Sequence, residues 1–337
     1  MKTIAAMTLL SLALLSVPTA HAALIESFGT GTNTFTMTFE PIGNPGNAAD
    51  TTGSPNPAGS VGYHYNMGKY EVSRDMINKA NAVGNLGITL NDMTSFGGNG
   101  ANRPATGVSW NEAARYVNWL NTSQGYTPAY KFDFQPGQPG YSALANITIW
   151  QASDPGYNSA NEFRNSQAKY FLPSMDEWYK AAYYDPSANG GVGGYWNFPT
   201  GSDSAPTAVS GGTAPGTAVY GQPSAQGPAD ITNAGGLSPY LVMGMGGNVW
   251  EWEETESDLV NNSPSSARGV RGGDWSNNSF LLSASNRFFF NPSSEDSLFG
   301  FRVASIPEPS SAVLLMLATV GLWQRRKRTS CSSKYLI

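Results

Sequence analysis

The chain has 337 residues, of which only 13% are charged, and it contains 38 glycines and 22 prolines. That composition favours a loop-rich globular protein and argues against a helical bundle. The formal net charge is −5 and no basic stripe crosses the central region, so we expect no nucleic-acid partner. No linker divides residues 60–305 into two domains.

The first 22 residues have the features of a secretory signal peptide. Lys2 supplies a positive start, residues 4–17 are mostly apolar, and Ala20-His21-Ala22 matches an A-x-A cleavage site. The apolar run is too short for a membrane-spanning helix. We therefore expect an exported protein whose mature chain begins at Ala23. Its one remaining histidine, His64, is expected to be structural or to lie at the surface.

Residues 23–62 are predicted to form an N-terminal extension of strand and loop. Phe35, Met37 and Phe39 alternate with threonines, which predicts one edge strand. Residues 43–59 are rich in Gly, Asn and Pro and are typical of a loop. A second strand is expected over residues 61–70, where the chain enters the main domain.

Three short helices are predicted, each with a serine at its N-cap. Ser73 is expected to cap the first. Ser109 with Glu112, and Ser174 with Glu177, match the Ser-x-x-Glu pattern of a capping box. We therefore interpret both glutamates as capping residues rather than as acids or bases.

The remaining elements are predicted to be short strands between loops. Residues 125–170 read as a loop insertion, and residues 187–240 as an irregular segment anchored by aromatics such as Tyr195 and Trp196. The candidate strands are residues 130–134, 147–150, 248–253, 268–274, 281–289 and 299–304. A few short helices with many short strands indicate an α+β fold.

The C-terminus carries a second targeting segment. Pro307-Glu308-Pro309-Ser310 precedes an apolar run over residues 312–323, and a basic cluster follows at residues 325–328. This arrangement resembles the PEP-CTERM sorting signal of Gram-negative bacteria. The resemblance implies transient membrane association through residues 306–328, processing by an exosortase, and delivery to the cell surface or extracellular matrix. Residues 329–337 form a tail, and a simple tail anchor is the alternative.

Seven short motifs carry a family resemblance. In chain order they are GKYEVS at residues 68–73, RPATGVSW at 103–110, LPSMDEW at 172–178, GGNVWEW at 246–252, RGGDWS at 271–276, NR at 286–287 and GFRV at 300–303. Together they resemble the formylglycine-generating enzyme (sulfatase-modifying factor) family, with the domain covering residues 63–305. The resemblance implies the compact variant of the C-type lectin-like fold, which has little regular secondary structure.

The same resemblance implies a copper site whose ligands this chain lacks. The family's enzymes oxidise a substrate cysteine to an aldehyde with a copper(I) ion held by two cysteines. Those positions fall on Asn277 and Leu282 when counted from the Arg-Gly-Gly motif, and on Asp274 and Ser279 when counted back from Arg287. The only cysteine is Cys331, in the tail. Because copper(I) prefers thiolate ligands, we expect no copper and no standard reaction.

Calcium is the cofactor that the resemblance leaves open. The family's ligands correspond to the backbone carbonyls of Gly247 and Val249 and the carboxylate of Glu251. Oxygen ligands suit this cation, but a further ligand position of the family falls on a glycine. The alternative is that Glu251 pairs with an arginine, either Arg271 or Arg302.

Aromatic residues supply the binding candidates. Trp250 and Trp252 are expected in the core, and Trp275 is either a core residue or a groove contact. Three consecutive phenylalanines cannot all point inward from one strand, so at least one is expected to face the family's substrate groove. The groove candidates are Trp275, Arg287, Phe288, Phe289 and Phe290.

Three functions remain open from the sequence. The first is an exported, surface-sorted domain that binds a peptide or glycan of the envelope or matrix. The second is an enzyme of this family that acts by a non-standard route and depends on Arg287 or Asp274. The third is a structural matrix protein without a discrete site.

Overall fold

The computed structural model describes residues 22–307. Within them the strands are β1 (Leu24–Phe28), β2 (Phe35–Ile42), β3 (Tyr65–Gly68), β4 (Tyr170–Phe171), β5 (Tyr184–Asp185), β6 (Gly194–Tyr195), β7 (Thr207–Ala208), β8 (Thr217–Ala218), β9 (Trp250–Glu256), β10 (Arg268–Arg271), β11 (Phe288–Phe290), β12 (Phe299–Gly300) and β13 (Ala304–Ser305). The helices are α1 (Arg74–Gly84), α2 (Trp110–Ser123), α3 (Met175–Tyr183) and the short α4 (Ala188–Gly191). Two 3-10 turns lie at Gly31–Asn33 and Ser279–Leu282.

The expected targeting segments fall mostly beyond this range. The signal peptide lies outside the described residues apart from Ala22, and so does the sorting segment after Pro307. Among the described residues, no helix has the length and apolar character needed to cross a bilayer.

The first sheet has five strands in the order β1-β2-β3-β13-β4, and all neighbouring pairs are antiparallel. Phe35, Met37 and Phe39 are buried, as their alternation predicts. The expectation of an edge strand is wrong, because β2 is paired on both sides, by β1 and β3. The edge is β1, whose pairing partner could not be inferred from the β2 sequence alone.

The three predicted helices and their caps are confirmed. Ser73 accepts a hydrogen bond from the backbone of Met76, and both capping boxes are complete. In α2 the Ser109 amide donates a hydrogen bond to the Glu112 carboxylate at 2.9 Å. In α3 the Ser174 amide donates a hydrogen bond to the Glu177 carboxylate at 2.6 Å. These bonds satisfy amides that a helix start otherwise leaves unpaired.

The second sheet has the order β11-β10-β9-β12 and contains the last third of the chain. The strand predicted over residues 299–304 is split between two sheets, β12 in the second and β13 in the first. It breaks because Arg302 turns its side chain into the core. Residues 281–289 are likewise not one strand, since the Ser279–Leu282 turn ends before β11 begins.

Residues 125–170 contain less strand than the sequence suggests, and residues 187–240 contain more. Residues 130–134 and 147–150 meet only through a single bridge, between Lys131 and Thr148. Residues 187–240 contain the short pair β7–β8 and strand β6, which pairs with β5 just before the segment. Tyr195 anchors this segment as expected, because its hydroxyl donates to the carbonyl of Gly59 at 2.8 Å. His64 is exposed.

One hydrophobic core joins both sheets to the helices. Trp110 on α2, Trp178 on α3 and Trp252 on β9 are completely buried in it. Each of these indoles finds an acceptor: Glu253 and Val108 supply backbone carbonyls to Trp110 and Trp252, and Trp178 donates to a carboxylate. Trp250 and Trp252 therefore lie in the core, which positions β9 at the centre of the molecule.

Removing one cap should produce a measurable loss of stability. We expect Ser109→Ala to lower the free energy of unfolding by about 0.5–2 kcal/mol, since the Glu112 amide loses its acceptor. Ser123→Ala, at the exposed far end of the same helix, is the matched control and should change it by less than about 0.5 kcal/mol. Urea denaturation followed by circular dichroism measures both. Equal effects of the two substitutions would contradict the capping role.

Candidate functional site

Strand β11 presents three consecutive phenylalanines at the edge of the second sheet. Phe288, Phe289 and Phe290 are 42%, 43% and 37% exposed. The strand pairs with β10 on one side only, in antiparallel register. All three groove candidates on β11 therefore lie at the surface, on a strand that has no second neighbour in its sheet.

Two nearly buried aromatic rings support β11 from behind. Phe288 meets Trp250 edge-to-face at 5.2 Å between ring centroids, and Phe290 lies 4.5 Å from Phe299. Phe289 projects to the other face of the strand, where the Arg287 guanidinium lies 4.7 Å from its ring centroid. We call these five aromatic residues the aromatic edge. Its outer rings are fixed by packing, so it is a preformed surface.

A buried ion cluster fixes the chain directly before β11. Glu253 on β9 contacts Arg271 at 2.6 Å, an ion pair without good hydrogen-bond geometry, and contacts Arg287 at 2.7 Å. Arg287 also donates to the carbonyls of Thr255 and Glu256. Its side chain is only 2% exposed. Arg287, expected as a groove contact, instead holds the base of the aromatic edge in place.

Gly269 makes room for this cluster. A Cβ atom at this position would lie 2.1 Å from the Glu253 carboxylate and 2.6 Å from the Arg287 guanidinium. Neither the glycine nor Glu253 was a sequence candidate. The signal that could have found Glu253 is the Trp-Glu-Trp-Glu alternation of β9, which places both glutamates on the same face.

Glu251 is fully engaged by protein partners. Arg302 binds both of its carboxylate oxygens at 2.5 Å, and the Trp178 indole donates to one of them at 2.7 Å. Of the two arginines weighed for this pair, Arg302 is the partner. Both oxygens already accept bonds from protein groups and Arg302 supplies a counter-charge, while calcium binding by Glu251 stays a prediction.

The expected ligands at Gly247 and Val249 are backbone carbonyls, and the amides of the same two residues have protein partners. The Gly247 amide bonds the Gly272 carbonyl at 2.8 Å, and the Val249 amide faces the carboxylate of Glu71. Among residues 22–307 no group of three His, Cys, Asp or Glu side chains is placed to hold a metal. Burial raises the pKa of Glu71 well above its ordinary value, which favours a neutral carboxyl there.

The positions that correspond to the family's cysteines form a closed turn. Asp274 is buried, and its carboxylate accepts bonds from the amide and hydroxyl of Ser276, while its own amide donates to Asn277. Burial raises the pKa of Asp274, against hydrogen bonds that favour the charged form. Ser279 begins the following 3-10 turn and Leu282 ends it, buried. None of these side chains is a soft ligand.

Trp275 also differs from its expected place in the groove. It is only 2% exposed and packs against Phe96, with 5.8 Å between ring centroids. The structure thus keeps β11 at the surface but places Trp275, Arg287 and Asp274 inside.

Breaking the ion cluster should strongly destabilise the protein. Glu253→Gln leaves two buried guanidinium groups without a counter-charge, and we expect a loss of about 3–5 kcal/mol in the free energy of unfolding. The control Glu295→Gln neutralises an exposed carboxylate and should shift it by less than about 0.5 kcal/mol. Guanidinium chloride titrations at fixed pH provide the comparison. A small effect of Glu253→Gln would show that the cluster does not hold this region.

Comparison with known proteins agrees with this architecture. Residues 34–306 match the family described as sulfatase-modifying factor enzyme 1-like domain. No curated protein is similar enough to count as a relative.

Among solved structures, Treponema denticola variable protein 1 is 20% identical, with 84% of this chain and 99% of that chain covered and a TM-score of 0.57. The protein CarF, also at 20% identity, covers 80% of this chain with 99% of its own and has a TM-score of 0.52. At such identity these likenesses show the fold, and they support the predicted lectin-like α+β architecture. The chain belongs to the sulfatase-modifying factor family, which is homologous to formylglycine-generating enzyme.

Proposed function

We propose that this protein is an exported binding domain that docks an extended peptide of the cell envelope or matrix on its aromatic edge. The observation that carries the proposal is the one-sided pairing of β11 together with the exposure of all three of its phenylalanines. The family match supports the fold, and the proposed function rests on this surface.

The geometry of an edge strand favours a peptide over a glycan. An unpaired strand edge offers backbone N–H and C=O groups at the spacing of another strand, so a peptide can add to the sheet. Side chains of the added strand would alternate between the face of Phe288 and Phe290 and the face of Phe289. Rings held by Trp250, Phe299 and Arg287 lose little conformational freedom on binding, which limits the entropy cost.

The chemistry of the chain argues against the family's oxidation reaction. No cysteine lies between Arg271 and Arg287, and Cys331 is the only one in the sequence. Copper(I) therefore has no thiolate pair to bind. A non-standard enzyme was the alternative, with Arg287 or Asp274 as the essential group. Both side chains are buried: Arg287 is bound by Glu253, and one carboxylate oxygen of Asp274 is bound by Ser276, so neither group is exposed at the surface.

Export and surface sorting complete the proposal. The N-terminal signal peptide and the C-terminal segment with its basic cluster would deliver the domain to the cell surface, with the exosortase machinery as a processing partner. A structural matrix role uses the same surface differently, since an exposed edge strand can also pair with a second copy of itself. The experiment below separates the two.

Peptide binding is tested with a phage library that displays random heptapeptides. We expect enriched peptides to bind the purified protein saturably, and Phe288→Ser/Phe290→Ser to weaken that binding at least tenfold, because two apolar contacts of about 1.5–3 kcal/mol each are lost. Phe280→Ser is the matched control. Phe280 is 66% exposed but lies outside β11, so its removal should leave the affinity within twofold.

Two outcomes would contradict the proposal. One is enrichment of no peptide, or of peptides whose affinity is unchanged in the double variant. The other is self-association that grows with protein concentration and disappears in the double variant, which would favour the structural role. Analytical ultracentrifugation of both proteins distinguishes these cases.

A further inference from the structure

A second concave site lies away from the aromatic edge. It is a cavity of about 470 Å³ between the end of α1, the second half of α2 and residues 128–136. Its volume is within the range of small-molecule sites, roughly 300–1,000 Å³. No part of β11 or of the Glu253 cluster lines it.

The walls of this cavity combine apolar and uncharged polar side chains with one charged group. Leu86, Trp119, Phe132, Pro128 and Pro136 line it together with Asn118, Thr122 and Gln135, and Arg115 on α2 is its single cation. Among the described residues, none of those that line the cavity is acidic. A ligand entering it meets aromatic and proline surfaces and one positive charge.

Arg115 is buried without a counter-charge. Its side chain belongs to a residue that is 4% exposed, and no carboxylate of residues 22–307 lies within 4.0 Å of it. Four other arginines of low exposure have carboxylate partners: Arg164, Arg271, Arg287 and Arg302. Arg74 and Arg268 are also buried with no carboxylate of the described residues within 4.0 Å, but of these three unpaired arginines Arg115 alone lines this cavity. A buried charge that lacks a partner is expensive, and burial lowers the pKa of Arg115 accordingly.

Neutral groups hold the guanidinium in one orientation. Its Nε donates to the carbonyl of Ala143 at 3.2 Å, and its Nη1 donates to that of Phe134 at 3.1 Å. Its central carbon lies 3.8 Å from the ring centroid of Phe132 and 4.6 Å from that of Tyr141. The Arg115 guanidinium is thus fixed between two aromatic rings, and no carboxylate neutralises its charge. An anion in the cavity would supply the missing partner.

The nearest acidic residue along the helix does not fill this role. Glu112, one turn before Arg115, spends its carboxylate on the Ser109 amide and hydroxyl and on the Thr89 amide. Burial raises its pKa to about 7, so the carboxyl is partly protonated near neutral pH. It therefore provides little negative charge to the cavity.

We propose that this cavity binds a small carboxylate with an aromatic body, its carboxylate on Arg115 and its ring against Trp119 and Phe132. One cation suits a single negative charge better than a phosphate dianion. The apolar walls select against small hydrophilic acids. This site is independent of peptide docking on the aromatic edge, and neither proposal needs the other.

The test uses 3-phenylpropionate and its uncharged analogue 3-phenylpropionamide, titrated into the full-length protein in detergent by calorimetry. The acid should bind saturably with a dissociation constant below about 1 mM, and the amide at least tenfold more weakly. Arg115→Gln should weaken the acid at least tenfold. Arg103→Gln is the matched control, since Arg103 is also held by backbone carbonyls but does not line the cavity, and should change the affinity less than twofold.

The comparison of acid and amide uses the unaltered protein, so it tests whether the cavity recognises a carboxylate even if Arg115→Gln fails to fold. Equal affinity for both compounds, or no saturable binding of the acid, would overturn the proposal. So would binding by a peptide that ends in phenylalanine when 3-phenylpropionate does not bind, because the site would then recognise a chain terminus.

Discussion

Two glutamates of one central strand organise the last third of the molecule. Glu251 holds Arg302, and Glu253 holds both Arg271 and Arg287, all almost completely removed from solvent. Because alternate residues of a strand share a face, both carboxylates point to the same side of β9. Their partners come from three separate segments that have little regular secondary structure. Removing one member of such a buried pair typically costs about 3–5 kcal/mol, so these contacts replace much of what longer strands would provide.

The same ion pairs decide what the surface can do. Glu251 gives both oxygens to Arg302, and Arg287 is bound by Glu253 beneath β11 and is almost completely removed from solvent. The phenylalanines of the aromatic edge are exposed at the surface, and the ion cluster and the rings of Trp250 and Phe299 hold them in place. The buried ion pairs of Glu253 thus hold a hydrophobic surface in a fixed position, which lowers the entropy cost of binding to it.

Local signals allowed several features to be predicted from the sequence, and long-range contacts account for those that were missed. The capping boxes follow from residues three apart, so Ser109 with Glu112 was predictable. Strand geometry predicts that at least one of Phe288–Phe290 is exposed, and the exposure of all three follows from the position of β11 at the sheet edge. The break between β12 and β13 depends on Arg302 reaching a glutamate 51 residues away, which no local pattern shows. Arg287 and Trp275 were expected in the groove because motif order fixes position along the chain and says nothing about burial.

The chain has the fold of this family, but the positions that correspond to the family's copper-binding cysteines carry other side chains. A buried aspartate turn occupies the place where copper ligands would be expected, and no cysteine lies among residues 22–307. The most direct measurement of that claim is to incubate the protein with copper(I), oxygen and a cysteine-containing sulfatase-type peptide and to follow the peptide by mass spectrometry. The account predicts that the peptide keeps its cysteine, with the protein shown to be folded. Formation of the aldehyde would contradict it and would require a copper site built without cysteine.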